Sequence, residues 1–178
     1  MFNSLRDYVA AAHGKAEADA VFEGEPRYLL SESYPDESLH RLIGIAATRT
    51  GREPDEVLFE YGVFTAESTF ARFYPGFFAS SSSARDFLLT VETRIHDIVR
   101  ATIPAAEPPR LVIRPFEDGG VSIAYDSPRR LCVFLRGMTE GAARHYGEHA
   151  DVEETTCMFR GDPACTLEVR FSDGLPPA

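Results

Sequence analysis

Tryptophan is absent from the 178-residue chain, cysteine occurs only three times, and positive charge is scarce. Without Trp, any aromatic pocket has to be built from the 13 Phe and 7 Tyr, residues that would serve an ordinary core equally well. No apolar run reaches the length of a bilayer helix. The N-terminus, Met1-Phe2-Asn3-Ser4-Leu5-Arg6-Asp7, lacks a basic segment followed by an apolar one. Three Cys in such a chain point to thiols or metal ligands in a reducing, cytoplasmic setting, not to a disulfide framework. With 18 Lys and Arg against 28 Asp and Glu, the net charge of −10 disfavours nucleic acid and anionic membrane as partners. Catalysis is not expected either. The Ser80–Ser83 run has no adjacent acid–base partner, and Gly119-Gly120 is too short for a phosphate loop.

What is present is a chain with enough apolar content to bury a core, read as one domain over residues 1–178. Leu5, Tyr8, Val9 and Ala12 recur at helical spacing before a stop at Gly14, and a weaker helix is expected over Ala16–Phe22. Asp36 is placed as the N-cap of a helix through Leu39, Leu42, Ile43 and Ala46 to Gly51, and Pro54 as the first turn of another. The aromatic stretch Phe70–Phe78 reads as a corner of the core. Ser83-Ala84-Arg85-Asp86 has the form of a capping box opening a helix with Phe87, Leu88, Val91, Ile95, Ile98 and Val99 on its apolar side. After Pro108-Pro109 the period changes. Leu111–Ile113 and Val121–Tyr125 read as strands, Leu131, Phe134, Leu135 and Met138 as the inner face of a helix, and Thr156–Phe159 and Thr166–Phe171 as a final hairpin. The order is α+β: a helical N-terminal part over about 1–60, then an antiparallel four-stranded sheet with packed helices over about 61–178.

Within that order one stretch carries a chemical proposal. His96 lies on the border of its helix's apolar face, and downstream come Tyr125, Ser127 and Arg129 at alternate positions. In an extended segment these three side chains share one face. A phenol, a hydroxyl and a guanidinium there offer donors for two neighbouring carboxylates, Arg best of all because its fork binds them bidentately. A porphyrin with two propionates is a ligand that such a clamp would fit, and neutral imidazole is the usual proximal ligand to its iron.

The same residues resemble the H-NOX (haem nitric oxide/oxygen binding) family, which includes bacterial sensors and the haem domain of soluble guanylate cyclase. His96, Pro109 and Tyr125-x-Ser127-x-Arg129 stand in the family's order. Tyr8-Val9…His13-Gly14, Gly62, Tyr74-Pro75 and Gly137-Met138-Thr139-Glu140-Gly141 extend the likeness over nearly the whole chain. The resemblance implies haem b, with His96 on the iron, Pro109 pressing on the porphyrin and Tyr125, Ser127 and Arg129 on the propionates. It implies NO or CO binding opposite His96, release of the His96 bond, and a shift of the N-terminal helices that a histidine kinase or a cyclic-di-GMP enzyme reads. Phe134 matches the position at which O2-binding members carry a Tyr hydroxyl. The family's Trp after the first His-Gly is missing here.

Cys132 falls in the helix after Arg129, and Cys157 and Cys165 flank Gly161-Asp162 as C-x7-C. By spacing alone these are small buried hydrophobes, zinc ligands or a thiol redox switch. Some H-NOX proteins hold zinc at three cysteines placed like these, with a His just before the pair; here that position is Glu154, and His145 or His149 lies within range. The tail also resembles the 4-vinyl reductase family, whose small-molecule-binding domain would need no His96. A haem-free interaction module or zinc/thiol redox sensor is the remaining alternative.

Overall fold

A computed structural model describes residues 1–29, 32, 34–102 and 107–174. The N-terminal helices are α1 (Phe2–His13), α2 (Lys15–Val21), α3 (Asp36–Thr50) and α4 (Pro54–Phe64). Their ends follow the local chemistry. Gly14 takes φ 94°, and Gly51 closes α3 in the left-handed region at φ 68°, conformations that cost a glycine little. Pro54 opens α4 behind a capping box of Glu53 and Glu56. Asp36 is not a cap. Pro35 holds that position, and the Asp36 carboxylate instead pairs with Arg129, far along the chain.

The chain continues through a π-helical turn, Thr65–Phe70, into the short helices α5 (Ala71–Phe73) and α6 (Pro75–Ala79). Next come α7 (Ala84–Thr90), a second π-helical turn (Val91–His96) and α8 (Asp97–Thr102). The Ser83 hydroxyl accepts from Asp86 N at 3.1 Å, the N-cap that the sequence predicts. Strands β1 (Arg110–Pro115) and β2 (Val121–Asp126), helix α9 (Cys132–His145) and strands β3 (Glu148–Thr156) and β4 (Cys165–Asp173) complete the order. The sheet is antiparallel with strand order β1-β2-β4-β3. The expected α+β class and four-stranded sheet are therefore present.

The third strand differs from expectation. It occupies Glu148–Thr156, whereas Met158–Arg160 is a 3₁₀ turn. As an edge strand it buries one side only, around Ala150 and Val152, so its sequence is mostly polar. The aromatic corner differs too. Phe78 is buried and stacks on Phe87, but Phe73 is 66% exposed and Tyr74 47%. These two help to wall an open cleft of about 540 Å³ against Thr93, Arg94 and Ile98.

Helix α9 packs on α4 through backbone. A Cβ at Gly137 would overlap the carbonyl oxygen of Phe59, and one at Gly62 the carbonyl oxygen of Phe134. The tightly buried face of α9 is accordingly small or polar, with Gly137, Thr139, Glu140 and Gly141, while Phe134, Leu135 and Met138 are only partly covered. Gly137→Ala should cost about 3 kcal/mol, the upper end for overpacking, and lower Tm by roughly 6–12 °C in a scanning calorimeter. An unchanged Tm would mean that the two helices can part without loss.

Candidate functional site

His96 is the last residue of the second π-helical turn, and its side chain is 14% exposed. Its Nδ1 lies 2.8 Å from Glu92 Oε2. An ionised carboxylate can only accept, so the partner assigns the proton to Nδ1 and leaves the lone pair on Nε2. Glu92 is itself held. Its Oε1 accepts from Arg100 Nη2 at 2.7 Å and its Oε2 from Leu111 N at 3.2 Å. Burial disfavours the Glu92 anion, but hydrogen bonds from His96, Arg100 and Leu111 outweigh it and bring its pKa below the usual value. Arg100 also donates to the Pro109 carbonyl at 3.3 Å, which ties the expected iron ligand to the expected porphyrin contact. Glu92 is the candidate site residue that sequence reasoning missed. The available signal was its four-residue spacing from His96.

Tyr125, Ser127 and Arg129 converge, though not by strand alternation. β2 ends at Asp126, and Pro128-Arg129 form a turn closed by Arg130 N to Ser127 O at 3.2 Å. The Ser127 hydroxyl accepts from Arg129 N at 3.3 Å, and Arg130 takes a positive φ of 52°. Tyr125 is buried, and its hydroxyl accepts from Leu131 N at 3.0 Å. Burial raises its pKa, while the Ser127 hydroxyl and the Arg129 charge pull the other way. Arg129 donates through Nε to Asp36 Oδ1 at 2.7 Å. The guanidinium thus already holds one carboxylate, supplied by the protein itself.

Phe134 packs against Tyr61, ring centroids 4.9 Å apart. The Tyr61 hydroxyl donates to Met1 O at 2.8 Å, and the Tyr8 hydroxyl to Glu60 Oε2 at 2.8 Å. One open cleft lies beside Phe73 and Tyr74 and another beside Arg52, Phe59 and Arg136. Neither draws its walls from His96, Tyr125, Ser127 or Arg129.

The cysteines do meet. Ligand atoms of Cys132, Glu154, Cys157 and Cys165 all lie within 4.8 Å of one another. Cys157 and Cys165 Sγ are 3.9 Å apart, far beyond a disulfide bond but close to the roughly 3.8 Å spacing of two thiolates on one tetrahedral zinc. Met158 N donates to Cys165 Sγ at 3.3 Å, and Asp162 Oδ2 accepts from Cys157 N at 2.8 Å. Burial, together with the neighbouring Cys165 thiol, drives the Cys132 thiol well above its ordinary pKa; burial also raises Cys165. His149 is committed to Glu140 and stands outside this quartet, as does His145, which packs on Phe78.

One row of the sheet joins these features. Leu111 of β1, whose N–H meets Glu92, pairs directly with Tyr125 of β2, and Tyr125 pairs with Cys165 of β4. The donor set fits haem chemically: an imidazole with Nδ1 held and Nε2 available, and two hydroxyls and a guanidinium for acidic groups.

Comparison with family models matches the haem-NO-binding model over residues 1–154, a span that ends before Cys157 and Cys165. A search of curated proteins returned no match. Among solved structures the chain is similar to an H-NOX protein from S. oneidensis in the Fe(II)NO ligation state, with TM-score 0.88 and 23% identity over 97% of each chain. It is also similar to the Fe(II) unliganded H-NOX protein from K. algicida, with TM-score 0.81 and 20% identity over 99% of this chain and 97% of that one. A third likeness is to a mutant of T. Tengcongensis H-NOX, with TM-score 0.83 and 21% identity over 98% of this chain and 97% of that one.

Proposed function

Because the chain belongs to the haem-NO-binding family, we propose that it senses nitric oxide, with CO as a second ligand, through ferrous haem b ligated by His96. The observation that carries this reading is the Glu92–His96 hydrogen bond, which orients the ring and fixes the tautomer a metal-binding imidazole needs. Ferrous haem, when bound, supplies an open coordination position at which NO or CO can attach. Tyr125, Ser127 and Arg129 would orient the propionates, with Arg129 exchanging or sharing its Asp36 partner. Pro109, steadied through Arg100, would press on the macrocycle, and Phe134 would supply an apolar wall on the gas side. By family likeness, we expect its output to reach a histidine kinase or a cyclic-di-GMP enzyme. No helix among the described residues is long and apolar enough to cross a membrane.

The direct test is an absorption spectrum of the purified protein before and after dithionite and NO. A Soret band that shifts with each addition is expected. A protein expressed with ample haem that shows no Soret band would overturn the reading in favour of the haem-free alternatives.

A second cofactor is supported by the cysteine quartet. We read Cys132, Cys157, Cys165 and Glu154 as a zinc site. Metal analysis of reduced protein prepared without chelator should find about one zinc per chain. Finding none, with all three thiols freely alkylated, would leave these residues to packing or redox chemistry.

A further inference from the structure

We propose that Arg160 is the positioning residue that makes Glu154 a metal ligand, an inference that rests on the metal reading of the cysteine quartet. Arg160 grips Glu154 at both ends. Its Nη1 donates to Oε2 at 3.1 Å and its Nη2 to the backbone carbonyl at 3.3 Å. With one carboxylate oxygen occupied and the residue's backbone held as well, the side chain has little freedom to swing away from the sulfurs. The β3–β4 register shifts between Glu154 and Thr156, and a bulge of this kind re-aims a neighbouring side chain.

The turn that carries Arg160 is built for the same purpose. Met158–Arg160 form one 3₁₀ turn, closed by Arg160 N to Cys157 O at 2.9 Å and ended by Gly161 at φ 94°. That turn also presents Met158 N to Cys165 Sγ, so one short segment orients a thiol ligand and the carboxylate together. Charge argues in the same direction. Three thiolates and a carboxylate carry four negative charges, a divalent cation cancels two, and the guanidinium cancels a third. Arg160 is 55% exposed, so packing does not account for its placement, and an ion pair so exposed adds little to fold stability. Its effect falls on the ligand it holds.

Cobalt(II) is the probe, titrated into reduced, full-length protein. Thiolate charge-transfer intensity counts the sulfurs, and the d–d bands report the fourth ligand. The unaltered chain should show three thiolates in a tetrahedral site. Arg160→Gln should weaken Co(II) binding about 10- to 100-fold with the charge-transfer intensity per bound ion retained and the d–d bands altered. In a Glu154→Gln background the same substitution should cost less than about 2-fold, because the residue it acts through is already gone. An equal cost in both backgrounds would assign Arg160 a general charge effect and overturn the proposal, as would an Arg160→Gln protein that binds Co(II) like the original. Failure of the unaltered chain to take up Co(II) would overturn the metal reading itself, and this inference with it.

Discussion

His96→Gly should emerge from purification with haem content reduced at least about ten-fold, and should recover it when free imidazole is supplied. Ten-fold requires only ~1.4 kcal/mol, well within the strength of a lost iron–nitrogen bond. Retention of a residue of haem is expected, because burial of the porphyrin's apolar faces still contributes ~25 cal/mol/Å². The fold should survive, since Glu92 keeps its bonds to Arg100 and Leu111. Glu92→Ala should give a parallel loss no greater than that of His96→Gly, about 10-fold in iron-ligand affinity, by freeing the ring that Glu92 orients. The comparison is informative by its order. If Glu92→Ala did more than His96→Gly, or if His96→Gly left haem content and the ferrous spectrum unchanged, His96 would not be the ligand.

The ferrous protein should bind NO and CO in air-free buffer and yet form no lasting complex with O2. Stable O2 binding needs a donor to meet the negative charge that O2 draws from iron, whereas NO needs none. Phe134 offers no polar atom. The two nearby phenols are already engaged, Tyr61 by Met1 O and Tyr8 by Glu60. Burial drives both phenols' pKa values up, so neither is set to ionise at neutral pH. Phe134→Tyr should raise O2 affinity by about ten-fold or more, as one hydrogen bond to a charged partner contributes about 1.5–3 kcal/mol. A long-lived oxy spectrum in the unaltered protein would mean that Tyr8 or Tyr61 leaves its present partner, and the NO-selective reading would fall. If Phe134→Tyr left O2 affinity unchanged, Phe134 would not face the gas.

Much of this fold is legible in the sequence because its signals are local. Glycines mark the ends of α1 and α3, Pro54 the start of α4, and Ser83 the cap of α7. The convergence of the cysteines is legible too, since a hairpin joins Cys157 to Cys165 whatever its details. What escapes depends on distant partners. Asp36 has the composition of a cap, but Arg129 draws its carboxylate away from the helix terminus. Strand β3 carries too little apolar residue to announce itself, because its outer face meets water. Pro128 breaks the extended run that Tyr125, Ser127 and Arg129 suggest, so their meeting is the work of a turn. The widened turn over Val91–His96 leaves no periodic trace, and Glu92 looks like any solvated acid until Leu111 arrives from another element to fill its second role.

The row from Leu111 through Tyr125 to Cys165 has a consequence for how the molecule is assembled. Side chains alternate along a strand, so a slip of β2 by one residue would turn Tyr125 to the opposite face. The same slip would put Tyr125 out of step with both Leu111, which meets Glu92, and Cys165. Correct pairing of β2 with its two neighbours is thus a single event that aligns Leu111, Tyr125 and Cys165 together, and on the haem reading a population of chains misassembled here would bind haem poorly.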